Sequence, residues 1–278
     1  MMSDIVVSAD WLVDRLDAVR VVDVRDAWEY DALGHVPGAV NVPFDTFRAD
    51  AHAAEEDATD GDGPAEGGGG RQGMLPGGDV FAGLMGEAGT TRADDIVAYD
   101  DHHGVFAARL LVTAECYGHP RERLRLLDGD FSAWRLDHET TDEPPDVEPA
   151  TYEVDPAAET PLVGRDEVAA AVEADAVLVD TREDWEFEEG HIPGAVRLDW
   201  RELVDDETRG LKPVAEMEAI LDERGITPDR RVVLYCNTAR RISHTYIVLR
   251  YLGYEDLAFY EGSLTEWEAA GRDLATGP

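Results

Sequence analysis

The chain carries one domain written twice. Asp23-Val24-Arg25-Asp26-Ala27-Trp28-Glu29-Tyr30 aligns with Asp180-Thr181-Arg182-Glu183-Asp184-Trp185-Glu186-Phe187. Gly34-His35-Val36-Pro37-Gly38-Ala39-Val40 follows the first block, and Gly190-His191-Ile192-Pro193-Gly194-Ala195-Val196 follows the second. Further on, Ile96-Val97-Ala98-Tyr99 pairs with Val232-Val233-Leu234-Tyr235, and Gly129 to Trp134 pairs with Gly262 to Trp267. Blocks repeated in one order are the signature of a duplicated structural unit. A length of 278 residues accommodates two such units of ordinary size.

Within each copy, short β-branched runs alternate with helical patterns. Ala176 to Asp180 and Arg231 to Tyr235 read as buried strands. Val214 to Arg224 has helical periodicity and stops at Gly225, and Ile242 to Leu252 does the same at Gly253. The alternation predicts an α/β fold: two tandem domains, each with a mostly parallel central sheet flanked by helices. The first domain is expected over 1–140 and the second over 162–278, with a linker over 141–161 where Pro144, Pro145, Pro149, Pro156 and Pro161 mix with acids. A low-complexity acidic segment with Gly67-Gly68-Gly69-Gly70 is expected to form a solvated surface loop over about 49–78.

Charge narrows the range of partners. The 61 acidic residues against 24 basic ones give a formal net charge of −37, and Lys212 is the only lysine. Because the acids are spread through apolar, periodic segments, they read as the shell of a folded protein rather than an acidic tail. Such a shell repels itself until salt screens it, which points to a salt-rich cytoplasm. No basic patch is visible, so nucleic acid is not an expected partner. There is no basic stretch leading into a long apolar run and no apolar run of membrane-spanning length, so a cytoplasmic protein without a membrane partner is expected.

The segment Tyr235-Cys236-Asn237-Thr238-Ala239-Arg240-Arg241-Ile242-Ser243 carries the chemistry. A predicted strand ends at Tyr235, Cys236 follows at once, and a helix starts a few residues later. Backbone N–H groups of such a turn converge on a point, and the helix N-terminus adds positive potential. The turn and the guanidinium groups of Arg240 and Arg241 favour the thiolate form of Cys236, which is the nucleophilic form. In the first copy the matching residue is Asp100, which cannot carry sulfur; with Asp101 beside it, weakened anion binding is expected there. Cys116 lies on a helix over Val105 to Tyr117 and reads as a core residue. His102 and His103 read as loop residues, because no further ligands cluster with them; no metal or cofactor is expected. Asp23, Asp180, His35 and His191 occur in both copies, including the one without the thiol, which assigns them architectural duty.

The Asp-Thr-Arg and Gly-His-Ile-Pro-Gly-Ala blocks, the Tyr-Cys loop and the closing Glu-Gly-Ser…Trp block together resemble the rhodanese family. The resemblance implies an inactive first domain and a catalytic second one, working by double displacement. Cys236 would take the outer sulfur of thiosulfate as a persulfide, release sulfite, and pass the sulfur to cyanide or a thiol. It further implies that Arg182, Arg240 and Arg241 hold the anionic donor; for Arg182 the alternative is a strand-end salt bridge with Asp180 or Glu186. The backbone of Asn237, Thr238, Ala239 and Ile242 would cradle the persulfide.

Other readings are 3-mercaptopyruvate as donor, and a sulfur carrier or binding module serving a protein partner. In enzymes using 3-mercaptopyruvate the loop after the thiol is typically built of Gly and Ser, unlike Asn237-Thr238-Ala239 here. A cysteine phosphatase needs five residues between Cys and Arg to enclose a phosphate. Here Asn237 to Arg240 intervene before Arg241, a ring sized for one sulfur atom. A monomer is expected, because two fused copies already bury one interface.

Overall fold

The computed structural model describes residues 4–49, 74–237 and 239–278. The acidic Gly-rich segment over 49–78 therefore falls largely outside the described residues. Residues Val7–Glu159 form one compact unit and Thr160–Pro278 fall in a second.

The first unit has strands β1 (Val6–Val7), β2 (Arg20–Asp23), β3 (Val40–Asn41), β4 (Ile96–Tyr99) and β5 (Leu124–Leu127). They form a five-stranded sheet in the order β1-β5-β4-β2-β3. Its helices are α1 (Ala9–Val13), α2 (Ala27–Leu33), α3 (Gly78–Glu87), α4 (Val105–Cys116) and α5 (Phe131–Asp137). The second unit has β6 (Val177–Asp180), β7 (Val196–Arg197), β8 (Val232–Tyr235) and β9 (Leu257–Phe259), in the order β7-β6-β8-β9. Its helices are α6 (Arg165–Glu173), α7 (Asp184–Glu189), α8 (Val214–Asp222), α9 (Arg240–Tyr251) and α10 (Ser263–Ala269). The pairings β2–β3, β2–β4, β4–β5, β6–β7, β6–β8 and β8–β9 are parallel. Each unit is thus the parallel α/β domain that the alternation predicts.

The repeat reaches down to register. Asp23 faces Tyr99 across β2 and β4, and Asp180 faces Tyr235 across β6 and β8. The central strands are buried along their whole length, which is why they read as continuous apolar runs rather than alternating ones. One core packs Val97, Tyr99, Phe131 and Trp134 together; the other packs Val233, Tyr235, Leu264 and Trp267. These are the same positions of the repeat, so the paired blocks mark the residues that build each core. His35 stacks on Tyr30 and His191 on Phe187, both with ring centroids 3.7 Å apart. Each also bonds a distant strand-like residue through its backbone, Thr141 and Ala275 respectively.

The segment over 141–161, expected as a linker, lies against the first unit for much of its length. Ala150 N–H donates to Gly86 O (2.9 Å), Asp155 N–H donates to Tyr117 O (3.0 Å), and Tyr152 is buried. Tyr152 meets His119, whose Nδ1 lies 3.1 Å from the Tyr152 hydroxyl and whose Nε2 lies 3.0 Å from Asp94 O. A carbonyl only accepts, so Nε2 carries the proton and Nδ1 accepts from Tyr152; the imidazole is neutral. Burial pushes the His119 imidazolium down to about 4. In the unfolded chain the ring titrates near 6.5, so the unfolded state binds the extra proton between those values. Stability supplied by neutral His119 is full above about pH 6.5 and is lost progressively towards pH 4, by about 3 kcal/mol in all. Urea titrations at pH 7.5 and 4.5 should show this loss in the wild type. In His119→Gln, which cannot titrate, the difference should shrink.

Candidate active site

Strand β8 delivers Cys236 to the carboxyl edge of the second sheet, where sites of parallel α/β domains form. The residue is 2 % exposed. Its N–H donates to Ser263 Oγ (3.1 Å), and its carbonyl accepts from Leu264 N–H (3.0 Å). The Ser263 hydroxyl proton goes to Tyr260 O (2.9 Å), leaving an oxygen lone pair for Cys236. Ser263 has φ +50°, a left-handed conformation that costs a non-glycine residue about 1–2 kcal/mol, and it is fully buried. The start of α10 thus anchors the backbone on which the thiol rides.

The turn that follows is shorter than the sequence predicts. Ala239 takes φ +65° and is the N-cap of α9, so the helix opens at Arg240 rather than at Ile242. Arg240 and Arg241 therefore stand in the first helical turn, not in the loop. Cations at a helix N-terminus lose stability to the helix dipole, but they add to the positive potential facing Cys236. Arg240 is half-buried; Thr238, expected in the cradle, lies outside the described residues.

Arg241 Nη1 contacts Glu186 Oε2, and its guanidinium also feels the charge of Cys236. Burial opposes the charge on Arg241, but Glu186 and the sulfur outweigh it and hold its pKa above the ordinary value. Burial likewise opposes ionisation of Glu186. The hydrogen bonds from Arg241 and from Glu183 N–H prevail, so its carboxyl lies below the usual range. Glu186 Oε1 accepts from Asn237 Nδ2 (2.8 Å), the residue after the cysteine. Asn237 O in turn accepts from the Thr265 hydroxyl (3.0 Å).

Arg182 has a more committed position than donor binding calls for. Its Nε reaches Asp180 Oδ1 (2.9 Å) and Oδ2 (3.1 Å), and its Nη2 reaches Asp180 Oδ2 (2.6 Å) and Gly190 O (2.7 Å). Nη1 is 3.3 Å from Asn237 Oδ1. The side chain is 4 % exposed. Burial works against the guanidinium charge, and the Asp180 hydrogen bond and charge more than offset it. Burial and the Asp180 charge push the Tyr235 hydroxyl far above its ordinary range, so it stays protonated. The first unit repeats the arrangement with Asp100, not a cysteine, after its central strand. Arg25 Nε and Nη2 bind Asp23, Nη2 binds Gly34 O (2.8 Å), and the Tyr99 hydroxyl donates to Asp23 (2.6 Å). Arg182 is therefore part of an ion-pair clamp common to both folds, and it touches the thiol loop through Asn237.

A pocket of about 340 Å³ beside the loop is lined by Arg182, Trp185, Glu186, Glu189, Asn237 and Glu268, among others. Asn237's side chain, Ser263 and Thr265 were not singled out by sequence reasoning, and Glu186 only as a possible partner of Arg182. Ser263 and Thr265 do lie in the repeated closing block, where the signal was present. Glu186 matches Glu29, and each accepts the N–H of the residue that caps its own helix, which hid the additional contact of Glu186 with the loop.

The charge arrangement makes a two-sided prediction. Arg241→Gln removes a cation near Cys236 and leaves Glu186 unpaired, so alkylation of Cys236 by iodoacetamide at neutral pH should slow roughly three- to tenfold. Glu186→Gln should speed it by a similar factor. Cys116, buried in α4 of the first unit, is the internal reference.

Among the described residues no group of three or more His, Cys, Asp and Glu side chains is arranged to hold a metal ion. Among them, too, no helix is long and apolar enough to cross a membrane.

Residues 8–137 and 164–270 each match the Rhodanese-like domain family. The chain is 31% identical to a "Putative thiosulfate sulfurtransferase" of Haloferax volcanii over 95% of its own length and 93% of that protein. It is 30% identical to the "Sulfur carrier protein TtuD" of Thermus thermophilus, over 99% and 97% of the two chains. The crystal structure of SseA from Escherichia coli, described as a 3-mercaptopyruvate sulfotransferase of rhodanese fold, superposes with a TM-score of 0.74 at 25% identity. It covers 94% of this chain and 99% of that one.

Proposed function

Because the chain belongs to the rhodanese family, with sulfur transfer as its role, we propose that Cys236 carries the sulfur as a persulfide and that thiosulfate is the donor. The Cys236 thiolate attacks the outer sulfur of thiosulfate, the sulfur–sulfur bond of the donor breaks, and sulfite leaves with the electron pair. Cyanide or a thiol then attacks the outer sulfur of the persulfide and restores the thiolate. The observation that carries this reading is the placement of one cysteine between the end of β8 and the first turn of α9, with Arg241 within electrostatic reach.

The first unit indicates which amides face the sulfur. There, the carboxylate in the cysteine's place accepts from the N–H groups at the N-cap and at the second and third residues of the helix that follows. In the second unit those positions are Ala239, Arg241 and Ile242. Asn237 enters the cradle less through its N–H than through its side chain, which ties the loop to Arg182 and Glu186. Arg241 has the strongest case for meeting the donor, Arg240 stands next to it, and Arg182 acts as a positioning residue.

A second reading, sulfur carriage to a protein acceptor, is favoured by the charge of the pocket. Arg182 is committed to Asp180, Arg241 to Glu186, and Glu186, Glu189 and Glu268 all line the mouth. A small dianion meets little uncompensated positive charge there, whereas a cationic protein segment meets complementary carboxylates.

Mass spectrometry of the Cys236 peptide after incubation with thiosulfate tests the proposal. The expected result is one added sulfur that cyanide removes as thiocyanate. Turnover with 3-mercaptopyruvate alone would change the donor. A persulfide that forms but passes neither to cyanide nor to small thiols would favour the protein acceptor.

A further inference from the structure

The loop of the first unit that matches the thiol loop was expected to bind anions poorly, because Asp100 and Asp101 stand in it. The structure shows why: the loop already holds an anion, one supplied by the chain itself. Asp100 is 1 % exposed, and its carboxylate is the anion that the loop binds. Oδ1 accepts from His102 N–H (2.7 Å) and Gly104 N–H (2.8 Å), and Oδ2 accepts from Phe106 N–H (2.7 Å) and Ala107 N–H (3.0 Å). Four backbone donors on one buried carboxylate form a complete anion nest. Asp101, the neighbour, turns away to accept from Ser132 N–H (2.9 Å) and Oγ (3.1 Å).

The setting matches Cys236 closely. Asp100 follows Tyr99 at the end of β4 as Cys236 follows Tyr235 at the end of β8. Its carbonyl accepts from Phe131 N–H (2.8 Å) as that of Cys236 accepts from Leu264 N–H (3.0 Å). The turn that aims the amides uses two left-handed residues, His103 (φ +57°) and Gly104 (φ +83°). A side chain on Gly104 would meet Leu126 at 3.1 Å in a left-handed conformation, so glycine suits the position on both counts.

We infer that the first unit retains a sulfur cradle, held permanently occupied by the carboxylate of Asp100, and that this occupancy keeps the cradle out of sulfur chemistry. The cradle serves the fold by satisfying amides at the start of α4, and the ligand class it takes is a small anion at the end of a short side chain: a carboxylate or a persulfide.

Hydrogen–deuterium exchange on the full chain tests the nest. In Asp100→Gly, exchange of the His102, Gly104, Phe106 and Ala107 amides should rise at least about tenfold. Sodium formate should slow it again where sodium chloride at equal concentration does not, and β8 should be unaffected. Exchange that does not rise, or that formate and chloride change alike, overturns the assignment. If the glycine variant fails to fold, Asp100→Asn preserves the shape but turns an amide NH₂ against one pair of donors. It should lose protection at that pair, and full protection would overturn the nest.

The sulfur part has its own test, made in D100C combined with Cys236→Ser and treated with polysulfide. The introduced thiolate attacks a chain sulfur, that sulfur–sulfur bond breaks, and the shortened polysulfide leaves with the electron pair. The expected result is one added sulfur on the peptide spanning position 100, removable by cyanide. Folded protein without the added mass would show a cradle specific for carboxylate and overturn its assignment to sulfur. This double variant also separates the present inference from the role of Cys236, which it lacks.

Discussion

Replacing Cys236 with serine is expected to lower thiocyanate formation from thiosulfate and cyanide by at least ~10³-fold, with the fold retained. The transfer requires a new sulfur–sulfur bond in the enzyme, and a hydroxyl forms no such bond under these conditions. The substitution leaves Arg241, Glu186 and the helix amides in place, so donor affinity should survive while turnover vanishes. That combination separates a lost nucleophile from a collapsed site. Near-ultraviolet circular dichroism should match the wild type, since a Cys-to-Ser exchange alters one atom at a site where the backbone is held by Ser263 and Leu264. The only other thiol, Cys116, sits in α4 of the first unit, on the helix that follows the Asp100 loop. Activity above about one percent in folded Cys236→Ser would defeat the persulfide reading.

Arg182→Met is expected to destabilise the second unit by about 3–5 kcal/mol, the usual cost of leaving a buried carboxylate without its partner. Asp180 is fully buried and takes two guanidinium nitrogens of Arg182, besides the Tyr235 hydroxyl. Methionine fills similar volume, so the loss reflects charge and hydrogen bonding rather than a cavity. Hydrogen exchange along a urea gradient reads each unit separately, through the amides of β4 in the first and of β8 in the second. In Arg182→Met, β8 should lose protection at lower urea while β4 is unchanged. Arg25→Met should do the opposite, because Arg25 and Asp23 form the same clamp in the first unit. A donor-binding role for Arg182 makes a different forecast, in which KM for thiosulfate rises and the exchange midpoint stays where it was.

The fold was legible in the sequence because the repeat and the buried strands speak for themselves. Val97, Tyr99, Val233 and Tyr235 lie in runs whose continuous apolar character only a doubly covered parallel strand explains. The thiol loop was legible for the same reason, since Cys236 directly follows such a run. Side-chain partners were legible only as alternatives: Arg182 could bind the donor or bridge to Asp180 or Glu186. Arg182 and Arg241 look alike in a sequence, as cations near an anion site. Which carboxylate each one meets depends on β6 placing Asp180 beside Arg182 and α7 placing Glu186 beside Arg241. The start of α9 was misplaced by two residues because Ala239 in a left-handed conformation leaves no compositional mark; glycine or asparagine would have signalled it. For Asp100 the charge pattern shows the sign of the group but not that backbone amides already surround it.

The clamp of Asp, Arg and Tyr stands in both units, yet only the second has a cysteine at the loop that follows its central strand. The folding information of the unit is therefore separable from the identity of the residue that its loop surrounds. Drift at such a position is channelled: an acidic residue is a soft landing, whereas leucine or lysine would unsettle the helix behind it. The first unit thus keeps its turn intact around a carboxylate where the second surrounds a thiol.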